Sequence, residues 1–272
     1  MMSINTNLSA MTALQNLTRT NTQLDQVQTR INTGLKISSA KDNAAYFAIA
    51  QNMRAEVAGI AASTDSLNRA KSVVDVALAA LDSMTTLATE LKAKAVAASD
   101  AGLDADGRAA LIKDFNALWD QMEAMASSAS FNGTNLIGGG VDTVRAIANG
   151  DGSSTITVAG SSGIDAITVT RTLTTAATAA AMGSEIDNAQ ETIDNLIALQ
   201  GTYGAAARRL DSQLAFNVKL SDATEVGIGN LVDADIARES ARLQALQIKQ
   251  QLGLQALSIA NSRPQAILAL FQ

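Results

Sequence analysis

The chain has 272 residues, 47% of them hydrophobic, but only five Phe, two Tyr and one Trp, a single proline, and neither histidine nor cysteine. That excludes a disulfide framework, a metal site built on imidazole or thiolate, a Cys nucleophile and a Ser-His-Asp triad, so the chain reads as not an enzyme and as needing no cofactor. Its 20 basic and 26 acidic residues leave a formal charge of −6, with no basic block to neutralise a phosphate backbone or an anionic bilayer, and no nucleic acid or membrane partner is expected.

The 52 alanines and the one proline favour long uninterrupted helices. Between Ile4 and Ile31, Leu14, Leu17, Leu24 and Ile31 recur at three- and four-residue steps, with Asn21 and Gln28 at the remaining stripe positions. That spacing predicts a helix with a coiled-coil seam. Gly34 reads as the residue just past its end. After an irregular stretch over 35–42, residues 44–98 read as one helix, with Met53, Val57, Ile60, Leu67, Val74, Leu78 and Leu81 on one face. Such a helix is about 80 Å long, which suits a rod or bundle.

Residues 99–107 read as a reversal and 108–128 as an antiparallel return helix through Leu111, Phe115, Leu118, Met122 and Met125. Phe115 and Trp119, one turn apart, read as core. From Phe131 the texture changes. Asn132-Gly133 is a hairpin turn signal, Gly138-Gly139-Gly140 a breaker, and 155–158 and 164–170 alternate apolar with polar residues, so 131–173 is predicted as a small β insertion. Helix resumes near Ala176 through Ile186, Ala189, Ile193, Leu196, Tyr203, Leu210 and Leu214. Gly227 and Gly229 are expected to break it before a last helix over about 233–262. That helix carries one apolar line through Ile236, Leu243, Leu246, Leu254 and Leu257 and a second through Ile248, Leu252 and Ile259, and two lines require more than one packing partner.

Asp104-Ala105-Asp106-Gly107 starts like a calcium loop but lacks the later ligands and the closing Glu, so it reads as a solvated turn. Asp233 and Asp235 read as helix N-terminal charges. The expected fold is mainly α, a long antiparallel helical bundle or coiled coil with a small β-hairpin insertion and with the N- and C-terminal helices pairing. Five regions are expected: 1–42, an N-terminal core helix and spoke; 43–130, shell helices; 131–173, the β insertion; 174–222, a shell return helix; and 223–272, a C-terminal core helix. Two polar, weakly charged terminal helices that pair and still expose a second stripe point to self-assembly. The seam for it is read as Leu14, Leu17, Leu24, Ile31, Ile236, Leu243, Leu246, Leu254 and Leu257, with Leu24 and Leu246 expected to be covered only in the polymer.

Four stretches carry a family resemblance. They are Ser3-Ile4-Asn5-Thr6-Asn7 with Ala13-Leu14; Ile31-Asn32-Thr33-Gly34-Leu35-Lys36-Ile37-Ser38-Ser39-Ala40-Lys41-Asp42-Asn43-Ala44-Ala45; Ser130-Phe131-Asn132-Gly133; and Leu257-Ser258-Ile259-Ala260-Asn261-Ser262-Arg263-Pro264-Gln265-Ala266-Ile267-Leu268. Together they resemble a bacterial flagellin of the short alphaproteobacterial type. Tyr46-Phe47 depart from the family pattern, standing where many relatives have a small residue.

The resemblance implies a structural subunit that self-assembles into the helical filament used for motility, with paired terminal helices lining its core and the β insertion facing outward. The alternatives are a hook-filament junction protein and a non-flagellar coiled-coil scaffold. It further implies type III export and an extracellular location. The expected partners are copies of the chain itself, paralogous flagellins, an export chaperone, and the filament cap and hook-junction proteins. On an outward insertion, O-glycosylation is expected at Ser153, Ser154, Thr155, Thr157, Ser161, Ser162, Thr168, Thr170 and Thr172. In the family a vertebrate innate immune receptor reads a motif on the first long shell helix. Here it falls on residues 89–97 and is altered at Glu90 and Lys94, so weak recognition is expected.

Overall fold

The computed structural model describes residues 7–138, 142–161 and 177–268. In chain order the elements are α1 (Leu8–Thr33), α2 (Ala44–Ala98), α3 (Ala105–Ser128), β1 (Ser130–Phe131), β2 (Thr134–Asn135), β3 (Thr143–Ile147), β4 (Thr155–Ala159), α4 (Ala179–Val232) and α5 (Ile236–Leu268). They divide between two compact units, one of Met1–Ala55 with Ala223–Gln272 and one of Glu56–Asp222.

In the unit of Glu56–Asp222, heptad spacing sets the core. Ile60, Leu67, Val74 and Leu81 of α2 are buried seven residues apart, and so are Met182, Ala189, Leu196, Tyr203 and Leu210 of α4. From α3 come Ile112, Phe115, Trp119 and Met122. A strict seven-residue repeat keeps each stripe facing its neighbours over many turns. The turn into α3 is held by Arg108, whose guanidinium donates to the carbonyls of Ala98 (3.0 Å), the last residue of α2, and of Asp100 (2.7 Å) just beyond it. Asp104 caps α3, its carboxylate accepting from the Gly107 N–H at 3.1 Å, and the Lys94–Asp114 ion pair (2.7 Å) joins the two helices. These contacts make α2 and α3 antiparallel. One 18-residue window of α2 reaches a mean hydropathy of 1.2. In this unit the apolar face behind that value is core surface.

The first hairpin turns through Asn132 (φ 51°) and Gly133 (φ 80°), the paired left-handed conformation of a type I′ turn. The second pairs β3 with β4 antiparallel, Arg145 opposite Thr157. Ala146, Ile156 and Val158 point into the core and Arg145, Thr155 and Thr157 out. Strand β3 is missing from the sequence reading because Val-Arg-Ala gives little alternation contrast. The strand expected over 164–170 lies outside the described residues. Tyr203 anchors this region: its hydroxyl donates to the Leu136 carbonyl (2.9 Å) and accepts from the Ser161 N–H (2.8 Å).

In the other unit the expected break at Gly227 and Gly229 is corrected: α4 runs through both to Val232. At each, the end of a flexible side chain takes up the space that a Cβ would use. A Cβ on Gly227 would stand 2.8 Å from Cε of Met53, and one on Gly229 2.8 Å from the Asp233 carboxylate. The chain turns over 233–235, where Asp235 caps α5 by accepting from the Arg238 N–H (3.1 Å). Helix α5 also runs past the expected end near Ser262, to Leu268.

Candidate self-assembly surface

Helix α1 starts at Asn7, whose carboxamide oxygen accepts from the Ala10 N–H, and stops at Gly34, left-handed at φ 71°. Its pairing with α5 is antiparallel. Asn7 donates to the Ala260 carbonyl (2.7 Å) at one end, Asn21 accepts from Gln250 (2.9 Å) part-way, and Arg30 pairs with Glu239 (3.2 Å) at the other. Between them Leu24, Val27 and Leu246 are buried, with Ile31 and Leu243 packed against them. Leu17 lies against Gly253, where a Cβ would meet its Cδ1 at 3.3 Å.

This geometry corrects the seam in two ways. The buried or half-buried line of α1 runs through Ala13, Leu17, Thr20, Leu24, Val27 and Ile31, whereas Leu14, Asn21 and Gln28 are exposed. From Leu17 the other stripe position is reached by stepping four back to Ala13, not three back to Leu14. The small side chain at 13 permits the approach of α5 on that side. On α5 the corresponding positions are Glu239, Leu243, Leu246, Gln250, Gly253, Leu257 and Ala260, so Ile236 and Leu254 lie off the seam, at 44% and 54% exposure. Leu24 and Leu246 are 8% and 4% exposed within the single chain, so burial of these two does not wait for a polymer. Val27, Gly253 and Ala260 are absent from the sequence-derived seam. The signal that could have found them is the strict seven-residue recurrence 13-20-27 and 246-253-260.

What remains outside the pair is a large apolar surface. Leu8, Met11 and Leu14 on α1 and Ile248, Leu252, Leu254 and Ile259 on α5 are all more than half exposed. An open groove of about 940 Å³ runs between Leu8, Ala13, Leu252, Gly253 and Ile259. Scattered exposed leucines need no explanation, but a contiguous set on both helices of one pair marks a contact surface.

Beyond α1, the Asp42 carboxylate accepts from the Ser38 and Ser39 N–H groups (3.1 and 3.0 Å) and from both hydroxyls (3.2 Å each). The Ser39 and then the Ser38 backbone bond hold its carboxyl below the usual carboxylate value. This turn borders a cavity of about 380 Å³ that Tyr46, Lys36 and Asn230 also line. The segment is tied to the end of α4 by the Lys36 N–H donating to the Val232 carbonyl (2.6 Å). Phe47 packs against the cluster of Ile37, Ala50 and Val232.

Among the remaining predicted positions, Glu90 is exposed and Lys94 is engaged by Asp114. Ser153, Ser154, Thr155, Thr157 and Ser161 are exposed. Ser162, Thr168, Thr170 and Thr172 lie outside the described residues.

Residues 4–142 match the bacterial flagellin N-terminal helical region, and residues 186–271 match the bacterial flagellin C-terminal helical region. The chain belongs to the flagellin family. It is 50% identical to flagellin FljK of Caulobacter vibrioides, over 99% of this chain and 98% of that one. It is 38% identical to a flagellin of Brucella melitensis over the full length of both. The crystal structure of Bacillus cereus flagellin superposes with a TM-score of 0.51 at 20% identity, covering 56% of this chain and 88% of that one, a likeness of fold. This flagellin is a structural protein, a subunit of the bacterial flagellar filament, and flagellins build that extracellular filament by self-assembly. The paired helices α1 and α5 fall inside the two matched regions.

Proposed function

We propose that this flagellin is held in its filament through the faces of α1 and α5 left outside their own pairing. The observation that carries this is the coexistence of a completed seam at Leu24, Val27 and Leu246 with exposed Leu8, Leu14, Leu252, Leu254 and Ile259 on the same two helices. Burying a leucine contributes about 1.5–3 kcal/mol, so a few such contacts per neighbour offset the entropy of ordering a subunit. In this reading 1–42 and 223–272 are core segments, 43–130 and 174–222 the shell, and 131–173 the outward insertion. The sequence-derived seam residues then divide: Leu17, Leu24, Ile31, Leu243, Leu246 and Leu257 pair the helices, and Leu14, Ile236 and Leu254 meet neighbours.

The chain carries no catalytic activity of its own. It leaves the cell unfolded through the flagellar type III apparatus, a passage its lack of disulfides suits, with an export chaperone before assembly and the cap and hook-junction proteins as filament partners. Exposed hydroxyls at Ser153, Ser154, Thr155, Thr157 and Ser161 are the accessible acceptors for O-glycosylation. An intact mass of native filament protein equal to the bare 28.1 kDa chain removes that part of the reading. The central test is seeded growth: purified monomer added to short filament seeds elongates them, and failure to do so overturns the proposal.

A further inference from the structure

The second hairpin is laid against α2 in a defined register. Gly59 abuts Gly150, where a Cβ on Gly59 would overlap the Gly150 carbonyl. A turn later the Ser63 hydroxyl donates to the Ile147 carbonyl (2.9 Å), and then Ser66 accepts from the Ile147 N–H (3.1 Å). Strand β3 therefore runs antiparallel to α2, and one more helical turn brings Arg69 level with Arg145. Arg145 is on the outer face of β3, since Ala146 next to it points inward. With Ser66, Phe131, Asn132 and Thr143 the two arginines line a notch of about 240 Å³. Both are exposed, and among the described residues neither enters an ion pair. Two arginines lining one notch with the hydroxyl-bearing Ser66 and Thr143 suit carboxylates, which a guanidinium meets two-pronged.

We infer that this notch receives the turn over residues 99–107 of a second copy, a contact that rests on the filament reading above. The turn carries Asp100, Asp104 and Asp106. The cations beside it are engaged elsewhere: Arg108 donates to main-chain carbonyls and Lys94 to Asp114. Within one chain the two features cannot meet, because the 29 helical steps of α2 from Arg69 to Ala98 separate them by about 44 Å at 1.5 Å per step. Joining complementary ends of one unit in different copies gives a head-to-tail contact, which leaves a free end at every step and extends as an open filament unless the rotation between copies closes a ring. Charge complementarity also selects the occupant: the chain is acidic overall, and the notch repels a second notch.

Charge reversal tests the pairing. Elongation on seeds is measured for the unmodified chain, for Arg69→Glu with Arg145→Glu, for Asp100→Lys with Asp106→Lys, and for all four changes together. Asp104 is spared because it caps α3. Each pair alone slows elongation about tenfold or more and the fourfold variant recovers most of that loss, the expected size for a few desolvated charge contacts. Normal growth of the Arg variant overturns the inference, and so does a slow Arg variant that the Asp changes do not relieve, which assigns the notch to another anion. If charge reversal unfolds the monomer, Arg69→Gln with Arg145→Gln decides instead. Loss of the salt dependence of elongation supports the contact, and an unchanged dependence overturns it. Failure of the unmodified chain to elongate strikes the filament reading itself.

Discussion

The carboxamide of Asn7 donates a 2.7 Å hydrogen bond to the carbonyl of Ala260, the carbonyl to which residue 264 would donate in a regular helix. Residue 264 is the chain's only proline and has no N–H. The same carboxamide caps α1 through its oxygen. One side chain thus starts the first helix and fills the gap in the last, coupling the order of the two ends.

Asn7→Ala should therefore loosen both ends together, costing about 1–2 kcal/mol in local stability. Asn7→Asp keeps the cap but loses the donor. Amide exchange read at the first turn of α1 and around residue 260 checks this. Restoring a donor with Pro264→Ala should remove the α5 component of the Asn7→Asp effect, and persistence of that component would refute the coupling.

Leu24→Asp and Leu246→Asp place a charge in the intrachain seam and should destabilise the α1–α5 pair by about 3 kcal/mol or more, visible as lost helical signal in the monomer. Leu14→Asp and Leu254→Asp should leave monomer stability within about 0.5 kcal/mol yet stop sedimentable polymer from forming. Equal behaviour of the two pairs would mean that the faces are misassigned.

Tyr203→Phe leaves the Leu136 carbonyl and the Ser161 N–H without their partner, at a cost of about 1–3 kcal/mol to the unit of Glu56–Asp222. Burial raises the Tyr203 hydroxyl above its ordinary value of 10.0, with the Ser161 N–H opposing. Its contribution is therefore complete below pH 10 and fades as pH rises through the higher folded value. Denaturant midpoints of this flagellin against pH should show an alkaline decline that Tyr203→Phe lessens.

Asp42 has the opposite sign. Its carboxyl lies below the ordinary 3.8 because the Ser39 and Ser38 N–H groups bind the ionised form. The turn it organises is complete above that pH and is lost as pH falls through the lower folded value. The Ser38 and Ser39 amide shifts should titrate with Asp42 in NMR spectra of the monomer, and Asp42→Asn should abolish the transition.

At the receptor motif, exposed Glu90 and a Lys94 engaged by Asp114 should give weak signalling in receptor reporter cells. Glu90→Arg with Lys94→Leu should partly restore it. The exposed Lys94–Asp114 pair contributes no more than about 1 kcal/mol, so its loss leaves the helices intact. Strong signalling by the unmodified chain would dismiss the assignment.

Amino-acid order alone determines the long helices of this flagellin. Ala44–Ala98 is read with the bounds the structure gives, and the buried stripe of Ile60, Leu67, Val74 and Leu81 follows from seven-residue spacing, because helix formation and stripe direction are local properties of 3.6-residue geometry. The turn at Asn132-Gly133 is legible for the same reason: its left-handed backbone belongs to those two residues. Tertiary structure decided what depends on a neighbour. From Leu17, Leu14 and Ala13 are equally good seam positions until α5 arrives on the Ala13 side. Gly227 signals a break until Met53 occupies the space its missing side chain leaves. Strand β3 has little pattern of its own and exists through β4 and the serines of α2. Arg69 and Arg145, 76 positions apart in the sequence, share a notch through the packing of the second hairpin on α2, with the Gly150 carbonyl close against Gly59 and Ile147 bonded to Ser63 and Ser66. A sequence specifies which faces a helix can offer, and the partner's shape determines which of them is used.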